Sequence, residues 1–157
     1  MTTLTWKLEE LPDHGRVIHL SGFITEEADF RPLVGLDWAA GTKLDLGGIE
    51  QINSCGVREW ILFVRKLSAA ERPFELVRCS PAVVRQLNTI SNFRGAGSVS
   101  SVLLPYYCAA CEQEDLRLLE LPDSGAPPPI DEAVACPHCG DTTEFDDLPA
   151  SYLAFVR

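Results

Sequence analysis

The sequence predicts an α/β domain followed by a small cysteine-rich module, and three observations carry that expectation. Strand and helix signals alternate along residues 1–105 of the 157-residue chain. Charge is divided unevenly: residues 1–105 hold 11 basic and 12 acidic side chains, whereas residues 106–157 hold Arg117 and Arg157 against 11 carboxylates. Cysteines change character at the same place, because Cys55 and Cys79 stand alone while Cys108, Cys111, Cys136 and Cys139 form two C-x-x-C pairs. A composition shift of this kind is expected at a domain boundary, so the chain reads as two units, 1–105 and 106–157.

Each element has its own local reason. Thr5–Glu10 suits an edge strand, and Asp13-His14-Gly15 a turn. Residues 16–22 alternate apolar and polar, as a half-buried strand does. In Glu26–Trp38, Pro32 and Gly35 interrupt an apolar pattern, so no regular element is assigned. Thr42–Leu46 reads as a short strand closed by Gly47-Gly48. Residues 55–70 form the clearest helix, with Val57, Ile61, Val64 and Leu67 as its core stripe and Arg58, Leu62, Arg65 and Lys66 largely on the other side. Phe74–Val77 follows as a strand. Ser80-Pro81 reads as cap and first residue of a helix over 81–88. Val99–Leu104 is a last apolar strand, and strands separated by helices imply at least one parallel pair. The remaining histidines, His14 and His19, have no partner visible in the sequence.

Composition excludes several classes of function. A net charge of −10 and a pI near 4.6 argue against a nucleic-acid binder, which needs a basic footprint. No apolar run has the length of a membrane span, and the first ten residues lack the pattern of a secretory signal, so no membrane insertion and a cytoplasmic location are expected. Nor does a constellation for acid–base or nucleophilic catalysis stand out.

The run Leu44-Asp45-Leu46, then Ile52-Asn53-Ser54-Cys55-Gly56-Val57 leading into a helix, resembles the STAS domain of bacterial anti-sigma-factor antagonists, whose hallmark is L-D-L followed by D-S-S-G-[LV] between strand and helix. Cys79–Leu87 resembles that family's later strand-to-helix segment, and the resemblance covers roughly residues 5–104. It implies a mixed sheet with helices packed on it and a protein partner, such as an anti-sigma-like kinase or a component of a signalling scaffold. It also implies a phosphorylation site at Ser54 and a partner surface around Asn53, Ser54, Cys55, Arg58, Leu62 and Arg65. The family's aspartate is replaced by Asn53 and its second serine by Cys55. A hydroxyl at a helix start suits an added phosphate, because free N–H groups and the helix dipole favour an anion there. The simpler reading of Ser54 is a helix N-cap. STAS-like subunits also occur in cytoplasmic parts of transport systems.

In the second unit, Cys108-Ala-Ala-Cys111 and Cys136-Pro-His-Cys139-Gly140 lie 24 residues apart. Two such knuckles complete a tetrahedral sulfur site, and the long spacer is accounted for by the loop Asp123–Pro129. Asp115–Leu121 reads as a strand between them. A unit of this size cannot bury a sufficient core unaided, so a metal staple is expected. The pattern resembles a zinc ribbon, and also the iron-binding rubredoxin; zinc and iron both accept four thiolates, so ligand type leaves the choice open. Four thiolates leave no open coordination position, which makes the metal structural. Cys-Pro-His-Cys is also similar to the active site of a periplasmic thiol oxidoreductase, but Gly140-Asp-Thr-Thr-Glu144 is a poor start for the helix which that chemistry needs. Disulfides would suit a secreted chain, for which no signal is seen.

The expected function is therefore a non-enzymatic signalling or scaffold module with a structural Zn2+, the rival being a redox protein, either an iron electron carrier or a thiol oxidoreductase. Between Arg58 and Arg94 seven basic residues face three acidic ones. Docking of the acidic module on that helix, or dimerisation, is accordingly a further expectation. Leu148, Tyr152, Leu153 and Phe155 in the tail, on a short helix opening near Asp147 and Pro149, need a surface to cover.

Overall fold

The computed structural model describes residues 3–13, 15–38 and 41–156; the expected turn residue His14 lies outside them. Five strands form the first sheet in the order β1 (Thr5–Glu10), β2 (Arg16–Ile24), β3 (Thr42–Ile52), β4 (Glu75–Val77) and β5 (Ser98–Val99). The first pair is antiparallel and the rest are parallel. Successive parallel strands step in one direction across the sheet, and same-handed crossovers then place the intervening helices on one face. These helices are α1 (Arg31–Val34), α2 (Ser54–Ala69) and α3 (Pro81–Thr89). Ile18, Leu20, Leu44, Leu46 and Leu76 are buried with them in one core. The intervening strand residues His19 and Asp45 alternate onto the other face.

Three expectations about elements change. The strand beginning at Thr42 does not close at Gly47-Gly48 but continues to Ile52. The pairing of β2 with β3 shifts register between His19 and Ser21, and a Cβ on Gly48 would lie 2.4 Å from the Ser21 hydroxyl, so this glycine permits close strand approach at a bulge rather than a turn. The interrupted segment 26–38 holds the single turn α1, with Pro32 in its first turn and Gly35 at its end. Trp38 then folds back, its indole N–H donating to the Leu33 carbonyl at 2.8 Å, and Arg72 donates to the Val34 carbonyl.

Helix α2 buries Gly56, Trp60, Phe63, Val64 and Leu67. Relative to the expected stripe, the two aromatics displace Val57 and Ile61 to half-buried flanks. Phe30 stacks on Phe63 with centroids 4.7 Å apart, and Trp60 on Phe93 at 5.5 Å. The Trp60 indole N–H is satisfied by the Phe93 carbonyl at 2.7 Å, so Trp60 belongs to the core. Ser80 caps α3 by accepting from the Val83 N–H, as the Ser-Pro pair predicts.

The second sheet is antiparallel, in the order β7 (Gln113–Glu120), β6 (Ser101–Cys108), β9 (Thr142–Phe145) and β8 (Ala133–Ala135). Strand β6 serves both parts of the molecule. Its start bridges in parallel with Cys79, where the Cys79 N–H reaches the Ser101 carbonyl and the Leu103 N–H the Cys79 carbonyl. Its end pairs with β9 at Tyr106 and Tyr107. Pro105, with no N–H to donate, sits where β6 leaves one neighbour for the other. The change of composition at Pro105–Tyr106 therefore falls inside a strand rather than in a linker.

The tail closes this junction. The short helix α4 (Pro149–Tyr152) buries Tyr152, whose hydroxyl donates to the Leu103 carbonyl at 2.7 Å. Asn88 of α3 clamps the tail at two points, donating to the Tyr152 carbonyl and accepting from the Phe155 N–H. Leu153 is buried as well, whereas Leu148 remains exposed. Among the described residues, the acidic C-terminal part meets the first part at α3 and β6.

Candidate metal centre

The four paired cysteines converge. Cys108 ends β6 and Cys111 lies in the turn before β7, while Cys136 follows β8 and Cys139 precedes β9. All four sulfurs lie within 4.8 Å of one another. The two turns share one backbone design: the Glu112 N–H bonds the Cys108 carbonyl at 2.8 Å, and the Gly140 N–H bonds the Cys136 carbonyl at 2.9 Å. In each, the residue after the second cysteine is left-handed, Glu112 at φ 58° and Gly140 at φ 79°. Glycine meets that demand without strain at the second turn; glutamate does so at a cost at the first.

The spacing fits a metal. Cys108 Sγ and Cys139 Sγ are 3.6 Å apart, and Cys111 Sγ and Cys136 Sγ are 3.7 Å apart. A tetrahedral ion with metal–sulfur bonds of about 2.3 Å separates its ligands by about 3.8 Å. A disulfide requires about 2.05 Å, and these close pairs each join one turn to the other, not the two cysteines of one C-x-x-C. Burial pushes the Cys111 thiol up. Burial acts on Cys136 too, but there it is outweighed by N–H donors from Cys139 and His138, which hold the thiol below its usual range and favour the thiolate a metal takes. Cys108, Cys111, Cys136 and Cys139 would hold the ion, and His138 is not in the ligand set.

The residues singled out around α2 form a second surface. Asn53, not Ser54, is the N-cap: its side-chain oxygen accepts from the Gly56 N–H at 2.7 Å, and Ser54 is the first helical residue. The other end of the Asn53 amide donates to Glu26 at 3.0 Å. Together with Glu26's own backbone N–H, this holds that carboxyl below the usual range. An aspartate at 53 would lose the donor and set two carboxylates against each other, which accounts for an asparagine here. Asn53, Ser54, Cys55, Arg58, Leu62 and Arg65 are all exposed along one side of the helix. Beside them a groove of about 390 Å³ runs between residues 26–31 and the α2 side chains Glu59, Leu62 and Lys66.

The open face of the first sheet holds a polar network that sequence reading missed. His19, expected to be without partners, binds Asp45 through Nδ1 at 2.7 Å and Glu9 through Nε2 at 2.8 Å. Asp45 also accepts from Arg78 at 3.0 Å and from the Gly47 N–H at 2.9 Å. Its side chain is 7% exposed and ties together β2, β3 and the end of β4, with β1 joined through His19. The hydrogen bond to Glu9 raises the His19 pKa most, against an opposing desolvation, and Asp45 raises it further. The available signal was the register, since His19 and Asp45 are direct neighbours across β2 and β3.

No protein-family model matches this sequence, and no curated protein matches it. No helix among the described residues is long and apolar enough to cross a membrane.

Proposed function

We propose that the chain is a non-enzymatic protein-interaction module of STAS-like character, in which a zinc ribbon is fused to the α/β sheet through β6. The observation that carries this reading is the exposed N-terminal side of α2. There the cap formed by Asn53 and Gly56 holds Ser54 and Cys55 outward, beside Arg58, Leu62, Arg65 and the adjoining groove. A partner meeting this face would find a basic and apolar strip with a hydroxyl at its head. Phosphate on Ser54 would add negative charge where the helix dipole favours it and would alter the strip's charge, which is the basis of a switch.

The metal has a structural role in this reading. Four thiolates from two turns saturate a tetrahedral ion, so no coordination position is left for a substrate. Zn2+ is the ion proposed, and its contribution is to fix the turns that hold β6, β7 and β9 together.

The test is a comparison of the tagged wild-type chain with the Arg58→Glu, Leu62→Asp, Arg65→Glu variant in the native cell, with phosphosite mapping. Recovery of a protein serine kinase or signalling component by the wild type alone supports the reading. Identical recoveries by both proteins contradict it. Coloured protein containing iron would point instead to an electron carrier.

A further inference from the structure

Strand β7 is the outer strand of its sheet, and among the described residues no strand covers its free edge. Such an edge presents a row of backbone N–H and C=O groups ready to pair. Its side chains alternate, so Glu114, Leu116, Leu118 and Glu120 share one face. Leu116 is 50% exposed and Leu118 is 53% exposed, well above the other large apolar side chains on strands. Their cross-strand neighbours on this face are Pro105 and Leu103. Next to Leu116 lies a cleft of about 540 Å³, walled by Pro81 and Pro105 and rimmed by Glu114, Asp115 and Asp146.

Charge decides what fits there. Among the described residues, no lysine or arginine lines the cleft. Arg117, the one basic residue of β7, lies on the opposite face, bound to Asp115 and the Ala135 carbonyl and set over the Tyr106 ring. A second copy of this chain is a poor occupant. The antiparallel register that would lay Leu116 against Leu118 also sets Glu114 against Glu120 twice and Arg117 against its own copy, and like charges directly opposite are destabilising. The same carboxylates favour cationic side chains flanking an apolar segment.

The geometry points to β7 as a strand-addition site for an extended segment of a partner protein that presents, at every second position on one face, two apolar side chains flanked by two basic ones. Backbone pairing along the edge supplies affinity, Leu116 and Leu118 meet the apolar side chains, and Glu114 and Glu120 select lysine or arginine at the flanks. This surface is separate from the α2 face, so the module has two distinct attachment points.

The experiment uses the full zinc-loaded chain, with a fluorescein-labelled, acetylated seven-residue peptide of sequence Lys-Thr-Val-Thr-Val-Thr-Lys as the probe, so that both lysines and both valines share one face. Anisotropy titration is paired with amide chemical-shift mapping. Saturable binding that weakens with salt and shifts β7 amides is expected, with no binding of the peptide in which glutamate replaces lysine. Reversing two exposed charge pairs in Glu114→Lys, Glu120→Lys should weaken the lysine peptide about tenfold. The same variant should now take the glutamate peptide, which shows that it is folded and that selection resides at these positions. Three results overturn the proposal: no saturable binding up to about 1 mM, shifts confined to α2, or equal affinity for wild type and variant.

Discussion

Replacing Gly56 with alanine tests how α2 is seated, and the expected effect runs against the usual rule. In an exposed helix interior the change stabilises by about 1 kcal/mol, because alanine is the better helix former. Here a Cβ would stand 1.9 Å from the Ile24 carbonyl oxygen and 2.4 Å from its carbonyl carbon. Both are backbone atoms of β2, so no rotamer change relieves the clash, and the helix start must retreat by about 1 Å to reach a tolerable approach. That retreat pulls on the Asn53 N–H bond to the Ile24 carbonyl and on the Asn53 cap of Gly56. Strain of about 1–3 kcal/mol, a weakened cap of about 1 kcal/mol and a weakened hydrogen bond of about 1 kcal/mol outweigh the propensity gain. A net loss of about 3 kcal/mol follows, which in a chain of this size lowers Tm by about 6–12 °C. Thermal unfolding of zinc-saturated wild type and Gly56→Ala, followed by far-ultraviolet circular dichroism, measures it. A variant Tm equal to or above wild type would refute the close seating of α2 on β2.

Other expectations follow from the same contacts. Asp45→Asn removes the charge that Arg78 and His19 share; because both partners reach solvent, the cost should be about 2–3 kcal/mol, read as a lower urea midpoint at unchanged slope. The His19 pKa is raised in the folded chain, so its share of stability is fully present below the unfolded value of 6.5 and is lost as pH rises through the folded value. The stability difference between wild type and His19→Gln should therefore shrink from about pH 6 to about pH 8, and a difference that grows would contradict the network. Burial pushes the Cys79 thiol far up, whereas Cys55 is exposed. Native iodoacetamide labelling read by peptide mass spectrometry should thus modify Cys55 and spare Cys79.

Features written in local sequence were readable in advance. The two C-x-x-C pairs need only short turns to aim their sulfurs, and Ser80-Pro81 caps α3 through atoms three residues apart. The alternation of strands and helices likewise yielded a mixed sheet with helices. What escaped depends on partners distant in the chain. Strand β3 runs past Gly47-Gly48 because it takes up the extra residue as a bulge while staying paired with β2. The buried stripe of α2 turns toward Trp60 and Phe63 because Phe30 and Phe93 wait for them. His19 finds Asp45 only once β2 and β3 are in register. Asn53 replaces Ser54 as the cap because Glu26 holds its amide, a contact across 27 positions. The bridge from β6 to Cys79, which ties the second sheet to the first part, has no local marker beyond Pro105.

The central claim is that Cys108, Cys111, Cys136 and Cys139 hold one structural Zn2+, and elemental analysis of the purified chain with cobalt substitution tests it most directly. One zinc per chain is expected, together with a cobalt spectrum of tetrahedral four-sulfur coordination, and loss of ordered β6, β7 and β9 on chelation. Cys136→Ser should abolish tight binding, while Cys55→Ser and Cys79→Ser leave one ion per chain. Metal-free protein with a Cys136–Cys139 disulfide and an unchanged fold would contradict the account.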